Sequence, residues 1–299
     1  PAAASAAFTR ATDVQPDSTQ AWSMRAAALM ARADQTKDAA EKKKALEEVE
    51  KVVLPRLATL AGDPREYYLN LTAGLFHLRK GRAFRKDARD ALGRALAARP
   101  EVAANGDMVL DLDVKLNDEE AGLRHARIVL RRDRANKLAN WVMGSVLLNR
   151  GDFLAAEKHL RLSCAGEKST PAAMNNFAEA LRRLEKYAEA ETWARKAVEA
   201  QPELYVSWET LGGVLLDRKK NLDEAETCVL KAVELARKSG NADPRMQLSL
   251  ARVQLARGDR RRAAATLRAV SREADKFGNW DRNRYESLLR EARASSARD

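Results

Sequence analysis

The side chains able to do chemistry are few and scattered. The chain holds three histidines, His77, His125 and His159, each more than thirty residues from the next. Its two cysteines, Cys164 and Cys228, lack the close paired spacing of metal ligands. Both read as small buried hydrophobes. A disulfide between them is not expected, because a bridge needs a short Cα separation that stacked helical elements would not give them. No glycine-rich phosphate loop is present, and the Gly212-Gly213 pair falls inside a helical pattern at a close-packing position. No serine nucleophile has a base to pair with, and no two carboxylates sit where burial would split their pKa values. The chain therefore reads as non-catalytic, with no metal and no cofactor.

What remains is recognition by surfaces, and the elements that build those surfaces recur. Residues 171–202 form one packing unit. Counted from Pro171, Ala178 holds the eighth position, Leu181 the eleventh, Tyr187 the seventeenth, Ala190 the twentieth, Ala197 the twenty-seventh and Pro202 the thirty-second. The small residues fall where two helices must approach closely. The following unit starts at Tyr205 and carries Trp208, Leu211, Gly212, Leu215, Ala225 and Ala232; its turn, Lys219-Lys220-Asn221-Leu222, is one residue longer. The preceding unit starts near Lys137, with Gly144, Leu147, the turn Gly151-Asp152-Phe153, and Ala156. A fourth runs from Pro244 through Ala251, Gly258-Asp259, Ala263 and Leu267.

The N-terminal half keeps the pattern less strictly. Residues 64–100 place Gly74, Gly81, Ala88, Ala95 and Pro100 in register with a turn about two residues too long, and residues 101–133 keep Ala121 but lack the turn glycine. Residues 19–60 begin with Trp22, Ala26 and Leu29, then enter a charged stretch from Lys37 to Leu60 in which Pro55 predicts a kink. Phe8 to Pro16 match the closing helix of a unit, so the chain is expected to start inside a repeat (1–16). Divergent helix pairs then fill 17–136, four regular units 137–270, and a capping helix 271–299. In that last helix Trp280, Tyr285, Leu288 and Leu289 would face inward, and Arg282, Arg284 and Arg290 outward.

A period in the low to middle thirties with two amphipathic helices per unit resembles the tetratricopeptide repeat (TPR) family. The resemblance implies an all-α fold, a right-handed α–α superhelix of stacked helix pairs, in which each unit buries its apolar face on its neighbours. Composition agrees: 45% of residues are hydrophobic, yet 32% are charged. No apolar run is long enough to span a membrane. Low cysteine use is consistent with a cytoplasmic location and does not exclude a bacterial envelope (periplasmic) one.

The resemblance also implies a concave groove lined by the first helix of each pair, holding a peptide or helix of another protein. Carried onto this chain, that groove comprises Trp141, Val142, Ser145, Leu148 and Asn149, then Asn175, Asn176, Glu179, Arg182 and Arg183. Glu209, Thr210, Leu216 and Asp217 follow, and Arg245, Leu248, Ser249 and Arg252 close it. Asn176 could use its amide as donor and acceptor toward a ligand backbone; Trp141 would be either an aromatic anchor in the groove or, one place later than the family's usual aromatic, a residue turned into the core. The lysine and asparagine clamp of chaperone-binding members is absent. His77, at an eleventh position, is expected to pack inside.

Charge offers a second surface. The formal net charge is +11. Residues 241–299 carry 14 Lys and Arg against 8 Asp and Glu. Arg79, Lys80, Arg82, Arg85 and Lys86 cluster in one turn, and Arg260, Arg261 and Arg262 in another. Such a basic edge could dock an acidic protein, a nucleic acid or an anionic surface. Aromatics make up only 5% of residues and are not interleaved with these clusters, which weighs against nucleic acid. Two alternatives to a protein-binding scaffold thus stand: a solenoid arm of a larger enzyme or secretion assembly, and electrostatic binding of nucleic acid.

Overall fold

The computed structural model describes residues 2–61, 66–166, 169–219, 221–240, 245–271 and 279–294. Among them there are helices and turns and no strand. They divide into two compact units, Pro1–Met143 and Gly144–Asp299.

In the first unit α1 (Ala2–Val14) and α2 (Thr19–Gln35) pair, followed by α3 (Ala39–Glu48), a π turn (Val49–Val53) and α4 (Leu54–Ala61). Pro55, expected to kink this stretch, does not break it. Ala45, Val49, Val53 and Leu57 are all buried at four-residue spacing. An α-helix would rotate such a stripe by about 40° per step. The π turn just before Pro55 takes more residues per turn and absorbs that drift, while easing the carbonyl that the proline nitrogen leaves unmatched. Next come α5 (Tyr67–Lys80) and α6 (Arg85–Ala98), joined by a short 3-10 turn over Arg82–Phe84 that accommodates the two extra residues. Then α7 (Ala103–Leu116) pairs with α8 (Glu119–Arg132). The turn glycine missing there is replaced by Asn117, in left-handed conformation with φ 53°.

The second unit repeats one motif. Helix α9 (Lys137–Asn149) enters it at Gly144, and α10 (Phe153–Ser163), α11 (Pro171–Arg183), α12 (Tyr187–Ala200), α13 (Tyr205–Asp217) and α14 (Leu222–Lys238) follow. Then come α15 (Arg245–Ala256), α16 (Arg260–Ala269) and α17 (Asn279–Arg293). Each pair turns through a left-handed residue: Gly151 (φ 82°), Glu185 (φ 59°), Asn221 (φ 54°) and Gly258 (φ 82°). Pro171 sits in the first turn of α11, where it lacks only an amide that no helical carbonyl needs, and Thr170 caps that end by accepting from Ala173 N. Pro244, Lys220 and the Gly62-Asp63-Pro64 segment lie outside the described residues.

The repeat core follows the expected positions. Ala178, Leu181, Ala190, Ala197, Leu211, Leu215, Ala225, Ala232, Ala251, Ala263 and Leu267 are buried. A tryptophan device recurs that sequence reasoning missed: Trp22 donates its indole N–H to the Pro16 carbonyl at 2.9 Å, and Trp208 donates to that of Pro202 at 2.7 Å. Both link the start of one pair to the proline that closes the previous one.

Two expectations are corrected. His77 is half-buried and stacks on Phe84 at 6.2 Å, whereas its neighbour Phe76 takes the core place. The 3-10 turn brings Phe84 over the imidazole. And of the Gly212-Gly213 pair only Gly212 is a close-packing glycine. A Cβ there would lie 2.7 Å from Val229 Cγ2 and 3.1 Å from the Ala225 carbonyl oxygen, whereas one at Gly213 would meet only Arg182 at 3.6 Å. Gly213→Ala is expected to stabilise the chain by about 1 kcal/mol through helix propensity. Gly212→Ala gains the same propensity but overpacks, so urea denaturation should separate the two by about 1–3 kcal/mol. Equal midpoints would contradict the close approach.

Candidate groove between the first helices of the second unit

The first helices α9, α11, α13 and α15 line an open groove of about 880 Å³, with Arg284 of α17 at its end. Short turns and close-packed small residues bring these helices together, so polar residues on their free faces converge.

Its floor is a charge lattice. Arg182 forks onto Glu179, donating at 2.7 Å to each carboxylate oxygen, and donates at 2.5 Å to Asp217 of α13. Asp217 also accepts from Arg252 of α15. Arg183 donates to Glu179 at 2.8 Å and lays its guanidinium over the Phe153 ring. Three successive first helices are thereby linked through side chains that are only partly exposed. The neighbouring guanidiniums outweigh the cost of burial and hold the carboxyls of Glu179 and Asp217 below their ordinary values. Glu209 differs. Ser249 donates to it at 2.8 Å, but burial dominates and pushes its carboxyl up.

The asparagines are engaged with protein. Asn176 donates to Ser145 Oγ at 2.8 Å, so its amide is not wholly available to a ligand. Asn175 is only 8% exposed and reaches Asn176 at 3.4 Å, while its own Oδ1 is buried without a hydrogen-bond partner.

Most of the expected groove residues come together. Asn149, Asn175, Asn176, Glu179, Arg182, Arg183, Glu209, Thr210, Ser249 and Arg252 line the cavity with Leu148; Ser145 and Asp217 touch it through their bonds. Four do not. Leu248 is fully buried beneath α17, with Tyr285 and Leu288. Leu216 packs with Leu250 and Val253 of α15. Val142 is buried, and Trp141 packs beside it against Leu96, Leu110 and Val129 in the first unit, away from an exposed anchor's place. The Arg245 side chain lies outside the described residues, as does that of Trp280. Sequence reasoning missed Arg284: expected to point outward, it is half-buried in the groove and acts electrostatically on Glu209. It also missed Arg150 and Met246.

The basic turns are less cationic than their sequence. Arg79 pairs with Asp34 at 2.9 Å and Lys80 with Glu50 at 2.7 Å. Arg82 and Lys86 are exposed, and Arg85 is half-buried. Arg260, Arg261 and Arg262 are exposed, Arg262 lying 3.8 Å from both Glu226 and Asp259. Cys164 and Cys228 are buried free thiols, the latter pushed up to about 11 by burial. His125 Nδ1 lies 2.7 Å from the buried Asp113. Burial lowers the pKa of His159. Among the described residues no cluster is placed to hold a metal, and no helix is long and apolar enough to cross a membrane.

Arg182→Met should cost about 2 kcal/mol, because Glu179 and Asp217 each lose one of two guanidinium partners while Arg183 and Arg252 remain. The pH profile should change with it. In the parent chain the folded pKa values of Glu179 and Asp217 lie below the unfolded ones. Their contribution is therefore present above about pH 4.5 and lost as pH falls through the folded values. In the variant Arg183 and Arg252 still lower these carboxyls, but less, so the loss of stability on lowering the pH from about 5 toward about 3 should be shallower than in the parent chain. Thermal melts across that range check this.

Residues 172–201 and 207–239 each match a family model described as tetratricopeptide repeat. Solved structures agree in fold. A chain of the APC/C hetero-tetramer Cut9-Hcn1 aligns over 97% of this chain and 52% of its own, with 15% identity and a TM-score of 0.57. This chain thus spans about half the length of that relative. PilW, described as a widely conserved type IV pilus biogenesis factor, aligns over 74% of this chain and 97% of its own, with 13% identity and TM-score 0.54. A tetratricopeptide repeat protein from Parabacteroides merdae aligns over 89% and 98%, with 14% identity and TM-score 0.50. No curated protein matches the chain.

Proposed function

We propose that this tetratricopeptide-repeat chain is a non-catalytic scaffold that holds a segment of another protein in the groove of its second unit. Scaffolding of protein interactions is the general role of the fold. The observation that carries the finer reading is the groove itself, about 880 Å³ and lined by side chains from four first helices. A binding site gains when its groups are held before the ligand arrives, since less ordering is then lost on association. The Arg182 lattice supplies that order. The four units over 137–270 are taken as the working repeats and 271–299 as their cap. The exposed basic turns are the competing surface, and the acids beside Arg79 and Lys80 weaken it.

The groove is tested by site-specific photo-crosslinking in cells. A benzoylphenylalanine replaces Tyr205, in the groove, or Leu230, exposed on α14. The expected result is a discrete crosslinked partner from position 205 and none from 230. Crosslinks from 230 or from the Arg260–Arg262 turn, with none from 205, would contradict the assignment.

A further inference from the structure

Helix α8 is fixed from one side. Asp118 caps it by accepting from Ala121 N at 3.0 Å and is itself held by Arg89 of α6 at 2.5 Å. His125 Nδ1 lies 2.7 Å from the buried Asp113 of α7, and Ala121, Leu123, Ala126 and Val129 are buried. The opposite face carries Arg124, Arg127 and Arg131, all exposed. At 3.6 residues per turn and 1.5 Å per residue they form one stripe about 60° wide and about 10 Å long. Arg132 and Arg134, also exposed, extend it past the end of the helix.

Residues 124–134 hold five arginines and one acid, Asp133, whose carboxylate accepts from Ala135 N. The other acids of the helix, Glu119 and Glu120, sit in its first turn, at the far end from Arg131. Among the described residues the side chains of Arg127, Arg131, Arg132 and Arg134 have no ion-pair or hydrogen-bond partner. Arg124 acts electrostatically on Asp118. Arginines on other second helices differ: Arg161 pairs with Glu189 at 2.9 Å and Arg195 with Glu224 at 2.6 Å. The helix dipole favours cations in the last turn, which accounts for Arg131 and Arg132 but not for Arg124 or Arg127.

We propose that this stripe docks the chain on an anionic lipid bilayer, by electrostatic adsorption without insertion. Clustered arginines on one face of an amphipathic helix suit such a surface, where each cation is worth about fivefold in partition. A bilayer asks for no register and leaves the protein free to slide and turn on it. An acidic helix of a partner would gain at most about as much per exposed pair, and it would have to be fixed in place. It would also find little apolar surface here, since Ile128 and Leu130 are half-buried against the core. The same lack of apolar side chains keeps α8 from inserting. Single-stranded nucleic acid needs aromatic platforms, and residues 124–134 contain none. A helix that reads a duplex enters its groove, whereas α8 packs on α7 and touches α6, leaving one face free.

The test uses the whole chain and co-sedimentation with two kinds of vesicle, phosphatidylcholine alone and phosphatidylcholine with phosphatidylglycerol. The chain should bind the second and not the first. Binding should be lost when salt rises from about 0.1 M to about 1 M, which shortens the Debye length from about 10 Å to about 3 Å. Arg127→Gln with Arg131→Gln should weaken it at least about tenfold with the thermal melt retained. Arg127→Lys with Arg131→Lys should restore it to within about threefold, because the bilayer reads charge more than fork geometry. Arg260→Gln with Arg261→Gln removes the same net charge from another exposed site and should change binding by less than about twofold. Equal losses in the two glutamine pairs would mean that net charge alone attracts the chain, and would overturn the inference. So would equal binding to both vesicles, or binding that survives high salt. A duplex oligonucleotide or a polyglutamate peptide that held the α8 arginines more tightly than the anionic vesicles would also overturn it.

Discussion

The second unit depends on Arg182. Its guanidinium is spent on two carboxylates from different helices, Glu179 on its own α11 and Asp217 on α13, and Asp217 in turn accepts from Arg252 on α15. Apolar packing holds each helix pair together, but it is non-directional and lets neighbouring pairs slide. A bidentate fork fixes angle as well as distance. The lattice thus sets how the first helices present their free faces. That is the difference between a stack of helices and a groove of fixed shape.

Two backbone constraints make the lattice possible. The two helices of a pair must come close, which needs a residue such as Gly212 of α13, where a larger side chain would strike Val229 or the Ala225 carbonyl of α14. Each pair must also reverse within a few residues through a left-handed conformation. Glycine does this without strain at Gly151 and Gly258; Glu185 does it against its own Cβ. The second helices add ion pairs between repeats, such as Arg161 with Glu189 and Arg195 with Glu224. These are exposed enough that each contributes little. Their register repeats, but they do not decide it.

Much of this was legible in the sequence, for a physical reason. Small residues at fixed spacing mark close helix approach, so Ala190, Ala197 and Ala225 read directly as core, and prolines such as Pro16, Pro100 and Pro202 mark where helices stop. The groove was legible on α11, whose polar positions are free of the next repeat. It was less so at α15, where α17 folds over Leu248, and at α9, where Val142 and Trp141 turn into the first unit's core. Helical periodicity tells which residues share a face, and says nothing about which later element covers it. For the same reason Arg284 read as outward: its face is set by how α17 packs on α15 and α16. Glu185 shows the limit at turns, where chain length forces a conformation that residue type does not announce.

The most direct measurement is a double-mutant cycle between Arg182 and Asp217, with Arg182→Met, Asp217→Leu and the pair, followed by both unfolding free energy and the yield of the partner crosslink from position 205. The account predicts a coupling above about 1 kcal/mol in stability and a loss of crosslink in each single variant that the double variant does not restore. Additive effects on stability, with the crosslink unchanged in all three, would mean that the lattice does not shape the groove.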